Sequence, residues 1–244
     1  MGLSTTREED VMSQLPAKIA RYREQYRAEK IGPRYSGWLH LGFTSTVALS
    51  AIVLCVWQVE NVQGWEWWAI PAAFLYANLA EYWGHRGPMH RPFRGLREIY
   101  ERHAAQHHRF FTHETMAFDS SRDFHAVLFP PVMAIFFFGV FATPFWLILS
   151  LLTSENFAWL SVATGVAYFL NYEWLHFSYH CDPQSWVGRL PGMATLRRLH
   201  QDHHDPQLMA HYNFNISYPI WDWVFGTLKY RQQNSNLSAD TSTH

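Results

Sequence analysis

The chain of 244 residues has room for one domain of ordinary size or two small ones. Charged residues make up 16% of it, against roughly a quarter in an average soluble domain, while aromatics reach 17%, with 12 Trp and 18 Phe. A formal net charge of −1 gives a nucleic-acid partner no footing, and two cysteines, Cys55 and Cys181, exclude a disulfide scaffold or a cysteine-based zinc finger.

Residues 1–36 are too polar to supply the apolar core of a cleavable signal. Within them, 7–30 read as an amphipathic helix. Val11, Leu15, Ile19, Tyr22 and Tyr26 recur at helical spacing between Arg, Glu and Lys. Such a helix either packs on the rest of the protein or lies in a membrane interface.

Four apolar stretches follow. Gly37 to Val59 carries no charge and matches the ~20 residues needed to cross a bilayer. Trp65 to Tyr82 is charged only at Glu66 and Glu81, and the short link Glu60–Gly64 makes a hairpin of the first two stretches. Ala126 to Thr153 contains Pro130, Pro131 and Pro144, and Phe157 to Phe177 is charged only at Glu173. This predicts an all-α integral membrane protein, with four transmembrane helices in two hairpins under a histidine-rich helical cap. The expected divisions are an N-terminal helical segment 1–36, a membrane-embedded metal domain 37–231 and a loose tail 232–244.

Charge sets the expected topology. Lys and Arg crowd the segment before the first stretch, the segment after the second (Arg86 to Arg109) and the segment after the fourth (Arg189 to Arg231), whereas the links 60–64 and 153–156 carry none. The positive-inside rule puts both termini and the 85–125 segment in the cytosol, whether the membrane is a bacterial inner membrane or the endoplasmic reticulum.

Four clusters of histidine occupy the cytosolic segments: His85-Arg-Gly-Pro-Met-His90, His103-Ala-Ala-Gln-His107-His108, His176-Phe-Ser-Tyr-His180 and His200-Gln-Asp-His203-His204. Residues three or four apart share a helix face, so His176 with His180, His200 with His203 or His204, and His103 with His107 can each face one metal. The adjacent histidine of each HH pair points about 100° away, which suits a second metal beside the first. Gly87-Pro88 puts the first pair at a helix end. Neutral imidazole suits Zn, Cu, Fe and Ni. Glu173-Trp-Leu-His176 is a single ExxH, so the carboxylate-rich soluble di-iron bundle, which uses that motif twice, does not fit. Glu81, Glu173 and Asp202 are expected to orient ligating histidines from behind.

This layout around two membrane hairpins resembles the fatty acid hydroxylase (sterol desaturase) superfamily over roughly residues 37–231. Asp123-Phe-His-Ala-Val-Leu-Phe-Pro-Pro131 after the second cluster, and the closing element Asn213-Phe-Asn-Ile-Ser-Tyr-Pro-Ile-Trp-Asp-Trp-Val-Phe-Gly-Thr227, strengthen the likeness. The second cluster departs from the commoner HxxHH by one residue. The resemblance implies an O2-dependent enzyme with two iron ions, replaceable by zinc in purified protein, that hydroxylates a C–H bond of a fatty-acyl chain or related lipid drawn from the bilayer. The ten matching positions are His85, His90, His103, His107, His108, His176, His180, His200, His203 and His204. Electrons would come from a separate reductase with a ferredoxin or cytochrome b5 type protein, because no haem, flavin or Fe–S motif occurs here. His113, His125, His211, Asn213 and Asp222 are candidates for contact with the substrate or the ligating rings.

Rival readings within the superfamily are a carotenoid, sterol or other isoprenoid hydroxylase or desaturase. Outside it, a hydrolytic zinc site needs only three protein ligands, and a transporter would place ionisable groups at the membrane midplane. A membrane metal-binding scaffold without catalysis is the remaining alternative.

Overall fold

The computed structural model describes residues 16–231; Val11 and Leu15 of the N-terminal helix, the 232–244 tail and His244 lie outside them. The described residues are helical and form no strand, only an isolated bridge between Thr112 and Thr115. Six helices organise them: α1 Ala17–Lys30, α2 Gly37–Trp57, α3 Ala69–Gly84, α4 Thr143–Leu152, α5 Glu155–Tyr179 and α6 Met193–His203.

Helix α5 is the axis. It packs against α2, α3 and α4, and a helix covered on several sides must be apolar around most of its circumference. Fourteen of its 25 residues are buried accordingly. Ala48 of α2 is buried in one cluster with Val162, Ala163 and Val166 of α5. Gly37 begins α2 where a Cβ would come within 1.9 Å of the Ser121 carbonyl oxygen, so the chain there admits only glycine without moving.

Four apolar helical rods coincide with the four expected stretches, but among the described residues one helix, Gly37–Trp57, is long and apolar enough to cross a membrane. The others fall short for separate reasons. Residues 64–68 enter α3 as a 3-10 turn, leaving α3 with 16 α-helical residues. The third rod is broken by a π turn at Phe137–Ala142. Tyr, Trp, Asn and His lower the hydropathy of α5. Leu39, Val53, Leu54, Trp57, Leu151 and Leu152 of α2 and α4 stand exposed.

The two polar links meet at one end. Asn156 exchanges hydrogen bonds with the backbone of Glu60 (3.1 and 2.7 Å), and Ser154, which caps α5, donates to Glu66 (2.5 Å). All four histidine clusters lie at the opposite end of the rods.

Helix α1 packs on that histidine-bearing end. Tyr26 is buried with Phe110, Phe111 and Val127. Beside it, Arg23 is 1% exposed: it pairs with Asp119 at 2.8 Å and donates to the carbonyls of Phe110, Thr115 and Ala117. Arg27 bridges Asp119 (2.5 Å) and Asp123 (2.8 Å). Of the two sequence alternatives for this helix, its described part therefore packs on the protein.

Candidate metal centre

In the first, third and fourth boxes the backbone conforms to the histidine spacing. His85 follows the last turn of α3 in a π turn over His85–Met89, with Gly87 at φ −93°, ψ −105° turning the chain so that His90 returns beside His85. His176 and His180 share a face at the end of α5, and His200, His203 and His204 end α6.

The second box departs from the sequence expectation. Glu101–His107 is a π-helix, and His108 N–H reaches back five residues to the His103 carbonyl. An added residue in a helix is commonly absorbed by one such wide turn. It carries His108 Nε2 to 3.1 Å from His103 Nε2. His107, expected to share a metal with His103, turns instead to His176 and His204, each 3.2 Å away between Nε2 atoms.

The result is two facing groups. His85, His90, His103, His108 and His203 converge on one point; His107, His176, His180 and His200 converge on a second. His204 Nε2 lies 3.0 Å from His200 Nε2 and 3.2 Å from His107 Nε2, which places it in the second group. Each HH pair is split, as its 100° divergence requires. Each group thus combines two histidines from the end of a rod, two from the following box and one crossing from the other half of the chain. The doubled architecture of the sequence reappears as a doubled site.

What orients the rings is backbone. Nδ1 donates to a carbonyl in His85 (Phe214, 2.5 Å), His107 (Ala126, 2.9 Å), His180 (Met116, 2.8 Å), His203 (Tyr212, 3.0 Å) and His204 (Phe111, 2.6 Å). A neutral imidazole that donates from Nδ1 has a bare lone pair on Nε2. His107 and His204 are both of this kind, yet their Nε2 atoms face each other at 3.2 Å. Two lone pairs turned toward each other at that distance form a bite that a bound metal ion would fit. Burial pushes the imidazoles of His90, His107 and His203 down to about 2, about 3 and about 4, and neighbouring imidazoles add to this at His90 and His107, so the rings favour the neutral form that a metal binds. An all-imidazole donor set without a carboxylate fits Fe, Cu, Zn or Ni.

The carboxylates act one step further back than expected. Glu81, Glu173 and Asp202 do not bond the rings. Glu81 accepts from the backbone N–H of Ile216 and Ser217 and from the hydroxyls of Ser217 and Tyr168. Asp202 accepts from Arg231 N–H (3.0 Å), and Glu173 from Phe129 N–H (3.2 Å). Asp222 accepts from Phe214 and Asn215 N–H, and Asn213, at φ 58°, ties the same strap to Leu199 and Lys229. The segment 212–231 is thus a strap, held by Glu81, Asp202, Asn213 and Asp222, that presents the Tyr212 and Phe214 carbonyls to His203 and His85. Arg23, not among the residues expected at the site, does the same for 110–117, the segment carrying the Phe111 and Met116 carbonyls. Its only signal was an arginine in register with Tyr26 and Ile19 on the apolar face of α1.

The other candidates lie apart from the two groups. His125 donates to or accepts from Tyr26 OH at 2.9 Å. His113 lies 3.9 Å from Glu114, and His211 is exposed beside Tyr212.

A cleft of about 360 Å³ opens onto both groups. It is lined mostly by apolar side chains, among them Leu96, Ile99, Val127 and Phe129, and it reaches His103 of the first group and His107 and His176 of the second. An apolar cleft ending at two clusters of metal-competent nitrogens can hold an alkyl chain with one carbon against the centre.

No curated protein and no solved structure matches this chain. A sequence model described as fatty acid hydroxylase does, over residues 70–227, which begins in α3 and ends at Thr227 of the strap. That match covers more than half the chain and includes all ten clustered histidines, and by it the chain belongs to the fatty acid hydroxylase family.

Proposed function

We propose that this protein is an O2-dependent di-iron hydroxylase of lipid C–H bonds, anchored by four membrane spans with both termini in the cytosol. The family implies an oxidoreductase acting on lipid, and the histidine groups fit a metal site. The observation that carries the finer reading is the pair of histidine groups, five rings in each once His204 joins the second, with an apolar cleft that reaches His103, His107 and His176. Ten neutral nitrogens exceed what a hydrolytic zinc needs, and a metal-binding scaffold without catalysis needs no alkyl-sized cleft beside it.

In this reading, His85, His90, His103, His108 and His203 hold one iron, and His107, His176, His180, His200 and His204 hold the other. Iron bound there would supply the oxidation of an unactivated C–H bond with O2 and electrons from a separate donor protein. The chain's residues do the rest. Val127, Leu128, Phe129 and Tyr172 orient the alkyl chain and exclude water from the reacting carbon. The Phe214, Ala126, Met116, Tyr212 and Phe111 carbonyls fix the tautomer and tilt of five ligating rings. Four spans fit the four rods, the exposed apolar side chains of α2 and α4, and the meeting of both polar links at the end away from the histidines.

Lipid profiling of an expressing host under 18O2 tests the activity. One lipid class gaining labelled hydroxyl, absent with His107→Ala, is expected. Unchanged lipids with fully metallated protein would overturn the reading.

A further inference from the structure

Beside the apolar cleft is a second cavity, of about 500 Å³, lined by Arg34, Tyr35, Ser36, His40, Arg102 and His125 among others. Arg102 and Pro130 line both cavities, so the two adjoin at the Arg102 side chain. Resting on the lipid reading above, we propose that together they bind an anionic amphiphile: its chain lies in the cleft that reaches the histidines, and its carboxylate or phosphate is held by Arg102 and Arg34.

The charge balance points there. Arg23 and Arg27 are satisfied by Asp119 and Asp123. Arg102 is half-buried, and among the described residues it makes no ion pair; its guanidinium donates one long bond, 3.3 Å, to the His125 carbonyl. No nearby carboxylate pairs with Arg102: Glu101 is engaged by Arg97 and Asp123 by Arg27, and Glu173, which accepts from Phe129 N–H through one oxygen and leaves the other unpartnered, lies beyond ion-pair distance. Glu98, four residues before Arg102, is exposed at the rim of the cleft and lies beyond ion-pair distance. A guanidinium has five donors in a planar fork that matches carboxylate or phosphate. Arg102 therefore presents most of its donors to the junction of the two cavities.

Position agrees with charge. Leu39 and Phe43, exposed on the first turns of α2, also line the second cavity. Since α2 is the helix long and apolar enough to cross a membrane, this cavity opens where a lipid headgroup would sit. The N-terminus of α2 adds its positive dipole end.

The test uses the full-length, metal-loaded protein in detergent and follows displacement of a fluorescent fatty acid by oleate, by oleoyl lysophosphatidate and by uncharged oleyl alcohol. At least one anion should bind about tenfold or more tightly than the alcohol, and which of the two it is separates a carboxylate from a phosphate ligand. Arg102→Gln should abolish the preference, Arg102→Lys should keep part of it, and Arg34→Gln should weaken it. Metal content checks that each variant is folded; if Arg102→Gln loses metal, Arg34→Gln decides, and an undiminished preference in it overturns the proposal. Equal binding of alcohol and anions by the unaltered protein also overturns it while leaving the lipid reading intact. Failure of all three to bind, with no 18O entering any lipid, would sink both.

Discussion

His107 and His203 are the two rings that leave their own half of the chain, and each joins a group otherwise built by the other half. Removing either should empty or weaken one metal position and spare its neighbour. We expect His107→Ala and His203→Ala to bind about one metal fewer per chain and to lose activity, with membrane insertion unchanged; elemental analysis and carbonate extraction read the two. A different residue governs acid sensitivity outside the histidine groups. Burial, then Arg102 and His40, push His125 from its ordinary value down to about 4. Between roughly pH 6.5 and pH 4 the unfolded chain takes up a proton there that the fold refuses, so stability must fall as pH falls through that window. His125→Asn removes this contribution. Its melting temperature should drop less between pH 7 and pH 5 than that of the unaltered protein; an equal or larger drop would contradict the assignment.

At the scale of elements, the π turn over Glu101–His107 explains how a box with one residue too many still serves the centre. If the turn absorbs an added residue, deleting Ala104 to give HxxHH should let a regular α-helix carry the outer histidines at four-residue spacing, and both metals should be retained. Loss of metal would mean that the π geometry itself is required. Arg23 is the second element-scale device. Arg23→Met leaves three carbonyls without their donor and removes one partner of Asp119, a buried polar loss of about 3 kcal/mol. The measurable result is a lower denaturation midpoint and faster loss of metal to chelators, because the Phe111 and Met116 carbonyls that hold His204 and His180 would be loosened.

For the whole molecule, the four rods and the clustering of histidines at one end were legible because long apolar runs and repeated imidazoles are local patterns. The pairing of His103 with His108 was not, since spacing assumes an α-helix and only the fold reveals the wider turn. The roles of Glu81, Glu173 and Asp202 were misplaced for a related reason. A carboxylate near a ligating histidine in sequence is as free to grip the backbone that holds the ring as to grip the ring. Topology remains the boldest whole-molecule expectation. A glycosylation acceptor inserted in the 60–64 link should be modified in a eukaryotic host while the sequons Asn215-Ile-Ser and Asn236-Leu-Ser, on the expected cytosolic side, stay bare, and the reverse pattern would invert the protein in its membrane.

The two facing histidine groups carry everything above, and metal stoichiometry tests them most directly. Protein purified anaerobically with iron supplied should hold two metal ions per chain, falling to about one in His203→Ala. Well under one ion per chain, from more than one host, would contradict the centre.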